Sequence, residues 1–143
     1  MTVEYQRLVV PGPTVTPVSE PFWKAVARKE FILQKCLDCE EFVFYPRSHC
    51  PYCWSENLSW KKASGRGRLK TWSIVHKPGH PGWNIATPYI VGLVELEEGP
   101  IMLSHLLIDD PQNLAIGLPL QVHLQKCGEH WLPFFKKMRG VIP

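Results

Sequence analysis

The spacing of apolar and polar residues changes several times along this chain. Residues 1–18 have no period: Val9 and Val10 stand among Pro11, Pro13 and Pro17. Proline favours extended backbone and removes a hydrogen-bond donor, so this stretch reads as an arm, either disordered or laid on a partner. Ser19 then offers an N-cap, with Glu20 and Pro21 in the first turn. Phe22, Trp23, Val26 and Ala27 follow at helical spacing, which predicts a short amphipathic helix over residues 20–29 within a segment 19–30. Beyond it the period falls to two. Short strands are expected over 31–35, 41–45 and 58–61, with Pro46 stopping the second.

After Ser64-Gly65-Arg66-Gly67 the alternation lengthens, predicting strands over 68–76, 89–96, 101–108, 119–126 and 130–135. Glu97-Glu98-Gly99-Pro100 and Cys127-Gly128-Glu129 read as turns, and Asp110-Pro111 opens a short helix or turn that ends at Gly117. Five strands with such a segment after the third fit a small closed barrel of the OB type; a β-sandwich competes, but five strands are few for it.

Four cysteines lie in the middle of the strand-turn-strand region, as Cys36-Leu37-Asp38-Cys39 and Cys50-Pro51-Tyr52-Cys53. Two residues between partners let one tight turn aim both sulfurs at a point. Two facing turns then make a tetrahedral thiolate pocket, which suits zinc at about 2.3 Å and leaves no open coordination position. The expected cofactor is therefore a structural zinc ion held by Cys36, Cys39, Cys50 and Cys53. Iron in the same cage, disulfides or an empty site are the alternatives. The opening MTVEYQRL carries no basic-then-apolar leader, so a cytoplasmic, reducing setting is expected, where paired cysteines bind metal. Glycine usually follows the second cysteine of such a knuckle because the turn there is left-handed; here Glu40 and Trp54 occupy those positions, so either strained knuckles or a weakly held metal is expected.

Composition narrows the class. The 143 residues are 45% apolar and 20% charged, which describes one globular domain or two small subdomains sharing a core. No apolar run approaches the roughly 18 residues needed to span a membrane. A net charge of only +3 argues against capture of a polyanion such as nucleic acid. Its distribution is uneven: Lys61, Lys62, Arg66, Arg68, Lys70 and Lys77 share a stretch without an acid, and Glu95, Glu97, Glu98, Asp109 and Asp110 share one without a base. This asymmetry suggests one positive face, either a solvated strand face or an anion-binding surface. Cys127 is the cysteine outside the two pairs, and no acidic residue is placed by sequence to activate it with His123 or His130. The loop His76-Lys77-Pro78-Gly79-His80-Pro81-Gly82-Trp83-Asn84 joins the first two barrel strands, where OB folds often bind ligands, so His76, His80 and Trp83 are candidate contacts.

The order of these parts resembles a known family. The stretches that carry the resemblance are the two knuckles, Tyr45-Pro46-Arg47 ahead of the second, Ser64-Gly65-Arg66-Gly67 and Trp72-Ser73-Ile74-Val75-His76. They continue with Pro88-Tyr89-Ile90-Val91, Val94 to Pro100, Ile116-Gly117 and Leu132-Pro133-Phe134. Together they run from about residue 20 to residue 135 and are similar to the domain of unknown function 35 family of acyl-CoA-associated proteins. Behind the arm (1–18), the resemblance implies a mainly β chain: a helix (19–30), a rubredoxin-like zinc ribbon (31–63) and a five-stranded OB-fold domain (64–143). It also implies a non-catalytic accessory subunit that pairs with a thiolase-like enzyme, be it thiolase, aldolase or acyltransferase, in a hetero-oligomer and helps shape the acyl-thioester path. Lys61, Lys62, Arg66 and Arg68 would then be candidates to meet the phosphates of acyl-CoA. The alternative is a nucleic-acid-binding module in which Trp72 and Trp83 stack bases.

Overall fold

A computed structural model describes residues 3–138; the outer ends of the arm and of the barrel segment lie outside the described residues. Helix α1 spans Glu20–Ala27. Ser19 sits at its N-cap but makes no side-chain cap; its hydroxyl oxygen instead accepts from the Thr16 N–H at 3.0 Å. Glu20 and Lys24, one turn apart, pair at 2.6 Å. The helix stops two residues short of the expected end. Lys29 turns left-handed (φ 65), its N–H donating to the Val26 carbonyl at 2.9 Å and the Glu30 N–H to the Ala25 carbonyl at 2.8 Å. This is a Schellman stop built without glycine.

The ribbon is a three-stranded antiparallel sheet in the order β2-β1-β3, with β1 at Ile32–Cys36, β2 at Phe42–Val43 and β3 at Leu58–Lys62. Buried Gln34 has polar groups at both ends of its amide to satisfy. Its Nε2 donates to the Arg47 carbonyl at 2.9 Å and its Oε1 accepts from the Arg47 N–H at 2.8 Å, which ties the approach to the second knuckle onto β1.

Five further strands close into a barrel in the order β4-β5-β6-β8-β7: β4 Arg66–Val75, β5 Tyr89–Leu96, β6 Ile101–Leu106, β7 Pro119–Cys127 and β8 His130–Lys137. This is the OB-type barrel expected from the alternation. Its closure is narrow, because β6 and β8 run parallel and pair only at Leu106 and Phe135. Pro133, which cannot donate to a ladder, sits in β8 beside this seam, and its carbonyl accepts from the Ser104 hydroxyl of β6 at 2.8 Å.

One hydrophobic core joins helix, ribbon and barrel. Phe22, Val26, Phe31 and Leu33 pack in the same cluster as Leu69, Val94, Leu120 and Phe135. The arm lies along this chain's own barrel rather than free. Leu8 is buried, and the Gly128 N–H donates to the Tyr5 carbonyl at 3.1 Å. Gly128 has φ 61, and a Cβ there would strike the Leu8 carbonyl, so glycine is required twice over at the β7–β8 turn.

Candidate functional site

The four paired cysteines converge. One sulfur from each lies within 4.8 Å of all the others, with Cys36 and Cys53 at 3.5 Å and Cys39 and Cys50 at 3.6 Å. A regular tetrahedron with bonds of about 2.3 Å has edges near 3.8 Å, so the cage fits one tetrahedral metal ion. None of the cysteines is in a disulfide. The two knuckles share one construction. The Glu40 N–H returns to the Cys36 carbonyl at 2.9 Å and the Trp54 N–H to the Cys50 carbonyl at 2.8 Å. Beside the first knuckle the Ser55 hydroxyl donates to the Asp38 carboxylate, which ties the two turns together.

The sulfurs titrate apart. The Cys39 N–H aimed at Cys36 draws that thiol down to about 7, against burial. Cys39 is pushed up to about 12: the Glu41 N–H favours its thiolate, but burial and the neighbouring sulfurs outweigh it. Four thiolates this close need a cation among them, which is the chemistry of a metal-binding set.

Glu40 and Trp54 adopt φ 64 and 65, the left-handed turn that glycine usually serves, so the strain expected at these positions is present. A left-handed residue with a Cβ costs about 1–2 kcal/mol, and glycine's larger loss of freedom on folding returns about 0.5–1 kcal/mol of that. Trp54, 77% exposed, has little packing to lose. Trp54→Gly is therefore expected to raise the urea midpoint, by roughly 0.5–1 kcal/mol of stability; a lower midpoint would refute the strain argument.

The basic stretch does not form one positive face. Antiparallel pairing of β4 with β5 sets Arg68 opposite Glu95 and brings the acidic stretch alongside the basic one. Arg66 Nε donates to Glu97 at 2.8 Å and Lys70 reaches Glu95 at 3.5 Å. Lys61 and Lys62 are exposed at the end of β3.

In the loop after β4, His76 is exposed. His80 instead caps a short 3-10 turn over Pro81–Ala86, its Nδ1 accepting from the Gly82 N–H at 3.0 Å. Trp83 folds inward, its ring 5.8 Å from Tyr89 and 6.0 Å from His105.

His105 was not among the expected contacts, because a lone histidine in a strand carries no pattern. It is sandwiched between Phe134 (4.4 Å, 13°) and Tyr89 (5.0 Å, 20°), and its Nε2 meets the Tyr5 hydroxyl from the arm at 2.8 Å. This cluster backs a cleft of about 420 Å³ walled by Ile74, Pro88 and Ile108. Burial lowers the His105 pKa to about 4 and pushes Tyr5 up to about 12. A histidine held neutral adds stability that is present above the unfolded value of about 6.5 and is lost as pH falls toward 4. Stability should therefore drop by up to about 3 kcal/mol between pH 6.5 and 4. In His105→Phe the slope of stability over that window should flatten; an unchanged slope would remove His105 as its source.

Both segments of the chain match known family models. Residues 23–59 match the ChsH2 rubredoxin-like zinc ribbon domain and residues 60–125 the ChsH2 C-terminal OB-fold domain. The chain is 28% identical over 136 residues to the probable enoyl-CoA hydratase alpha subunit of Thermomonospora curvata, covering 94% of this chain and 42% of that protein. It thus spans about two fifths of that relative's length. It is 31% identical over 108 residues to a DUF35 domain-containing scaffold protein of Pyrococcus furiosus, covering 76% of this chain and 79% of that protein. Among solved structures it superposes on a chain of an Ltp2-ChsH2(DUF35) aldolase with a TM-score of 0.78 and 28% identity, over 87% of this chain and 98% of that one. With ribbon and barrel matched in order and a scaffold protein related over most of its length, the chain belongs to the DUF35 family.

Proposed function

We propose that this chain is a non-catalytic accessory subunit of an acyl-CoA or acyl-transfer complex, in which a thiolase-like enzyme carries the nucleophile, and that its four-cysteine cage holds a structural zinc ion. The observation that carries the reading is the likeness of the whole ribbon and barrel to a DUF35 chain of an aldolase assembly. Relationship to a hydratase alpha subunit and to a scaffold protein supports it.

The chain's own chemistry agrees. Cys127 is fully buried and its thiol is pushed up to about 12 by that burial, so it is held protonated and is a poor nucleophile. Zinc suits an all-sulfur tetrahedron with no open position and would act by holding Cys36, Cys39, Cys50 and Cys53 together rather than by taking part in a reaction. The ribbon it braces shares a core with the barrel, so the surface offered to a partner is stiff. Lys61, Lys62 and the loop bearing His76, His80 and Trp83 are the chain's proposed contributions to the acyl-thioester path.

The test is co-expression with a thiolase-like protein from the same organism. A stable hetero-oligomer that handles acyl-CoA only when both chains are present, with one zinc per copy of this chain by elemental analysis, is the expected result. Acyl-thioester turnover by this chain alone would overturn the reading. So would salt-sensitive oligonucleotide binding with no such partner, and iron in the cage would overturn the zinc assignment.

A further inference from the structure

Positive charge without acidic partners gathers in a groove that no sequence motif marks. Lys29 follows the stop of α1, Lys62 ends β3 and Lys126 lies near the end of β7, and all three line one groove of about 710 Å³. On the β4–β5 face and on α1, by contrast, cations have acidic partners: Arg66 has Glu97, Lys70 has Glu95 and Lys24 has Glu20. Among the described residues Lys29, Lys62 and Lys126 make no ion pair, and Glu30 on the groove's rim is engaged by Arg28 at 3.6 Å. Beneath the lysines lie buried Phe31 and half-buried Trp131, with the Lys29 ammonium 5.3 Å from the indole centre.

The chemistry of this arrangement is specific. Three like charges around one hollow repel each other, and a multiply charged anion relieves that repulsion. Ammonium groups meet phosphate as point charges. An indole beside them offers a flat apolar surface to a ring, with base–aromatic stacking contributing about 1–3 kcal/mol. The groove's size lies within the range of roughly 300–1,000 Å³ usual for small-molecule sites. We infer that this groove binds a phosphorylated nucleotide, its phosphates on Lys29, Lys62 and Lys126 and its base against Trp131. The nucleotide end of an acyl-CoA is the source that follows from the proposed function, on which this part of the inference rests; a free nucleotide has the same chemistry.

The experiment titrates the full, metal-loaded chain with adenosine 3′,5′-bisphosphate by calorimetry, with coenzyme A, ATP and inorganic phosphate in parallel. The bisphosphate should bind more tightly than phosphate. The triple variant K29Q/K62Q/K126Q should weaken it at least about tenfold, and Trp131→Phe should narrow the gap between bisphosphate and phosphate. The single variant Lys62→Gln, at an exposed site, repeats the test should the triple variant unfold, with a smaller loss expected. Coenzyme A binding as tightly as the bisphosphate assigns the acyl-CoA source, and tighter binding of ATP assigns a free nucleotide. Equal affinity before and after removal of the lysines, or no binding of the bisphosphate by the wild-type chain, overturns the inference. A partner complex that still forms in that case leaves the proposed function standing. Nucleotide binding without any acyl-CoA partner would do the reverse.

Discussion

Cys50→Ser is expected to lose the bound metal and to lower the thermal midpoint by about 12 °C or more. Cys50 is fully buried, its Sγ lies 3.6 Å from that of Cys39, and it packs with Cys36 and Val43 in the small core of the ribbon. Serine nearly preserves the volume, so little of the effect comes from packing. It removes a thiolate, and a site with three sulfurs and one poor ligand holds zinc far more weakly. In small metal modules the binding free energy is folding free energy. Most of the shared core lies away from the cage, so only part of that energy is forfeited. Loss of a metal belongs to the few mechanisms that cost more than about 4 kcal/mol, and each kcal/mol moves the midpoint by about 3 °C in a chain of this size. Elemental analysis and a melt on the same sample check it. Chelation of the wild-type protein should reproduce the shift. A fully metallated, equally stable Cys50→Ser protein would show that the cage is not what holds the ribbon.

Phe135→Ala should cost about 3–5 kcal/mol, a fall of roughly 9–15 °C, and should destabilise ribbon and barrel together. Phe135 is fully buried on β8. It pairs with Val122 of β7 and with Leu106 across the narrow parallel seam, and its ring meets Phe31, at the start of the ribbon, edge-on at 6.4 Å. Truncation leaves a cavity where three parts of the molecule meet, and the rigid strands around it cannot collapse to fill it. Because the core is continuous, tryptophan fluorescence and metal release should report one shared transition, in the variant as in the wild type. Two separate transitions, with the ribbon unaffected by the substitution, would show that the barrel and the ribbon are independent units.

Much of this architecture was legible locally. Two cysteine pairs with two intervening residues announced the cage because the spacing itself dictates the turn. The five barrel strands were legible because each alternates and is bounded by turn residues, and their observed limits differ from expectation by only a residue or two. The shorter elements were less so. The helix ends at Ala27 because Lys29 accepts a left-handed turn that its residue type does not advertise, and β2 shrinks to Phe42–Val43. Among the candidate site residues, the four cysteines are brought to one point. Basic and acidic stretches looked like two faces in the linear chain, yet antiparallel pairing of β4 with β5 lays them side by side and cancels much of the charge.

The chain's residues by themselves determined the metal cage, the strand alternation and the family, since each depends on neighbours within about ten positions or on the order of such local units. Only the tertiary structure decided that the arm reaches back to place Tyr5 on His105, and that Lys29, Lys62 and Lys126 line one groove with Trp131. Those groups come from distant segments, and barrel closure sets their proximity. Strand register and a shared core fix such distances, and neither is written in the local sequence around any one of these residues.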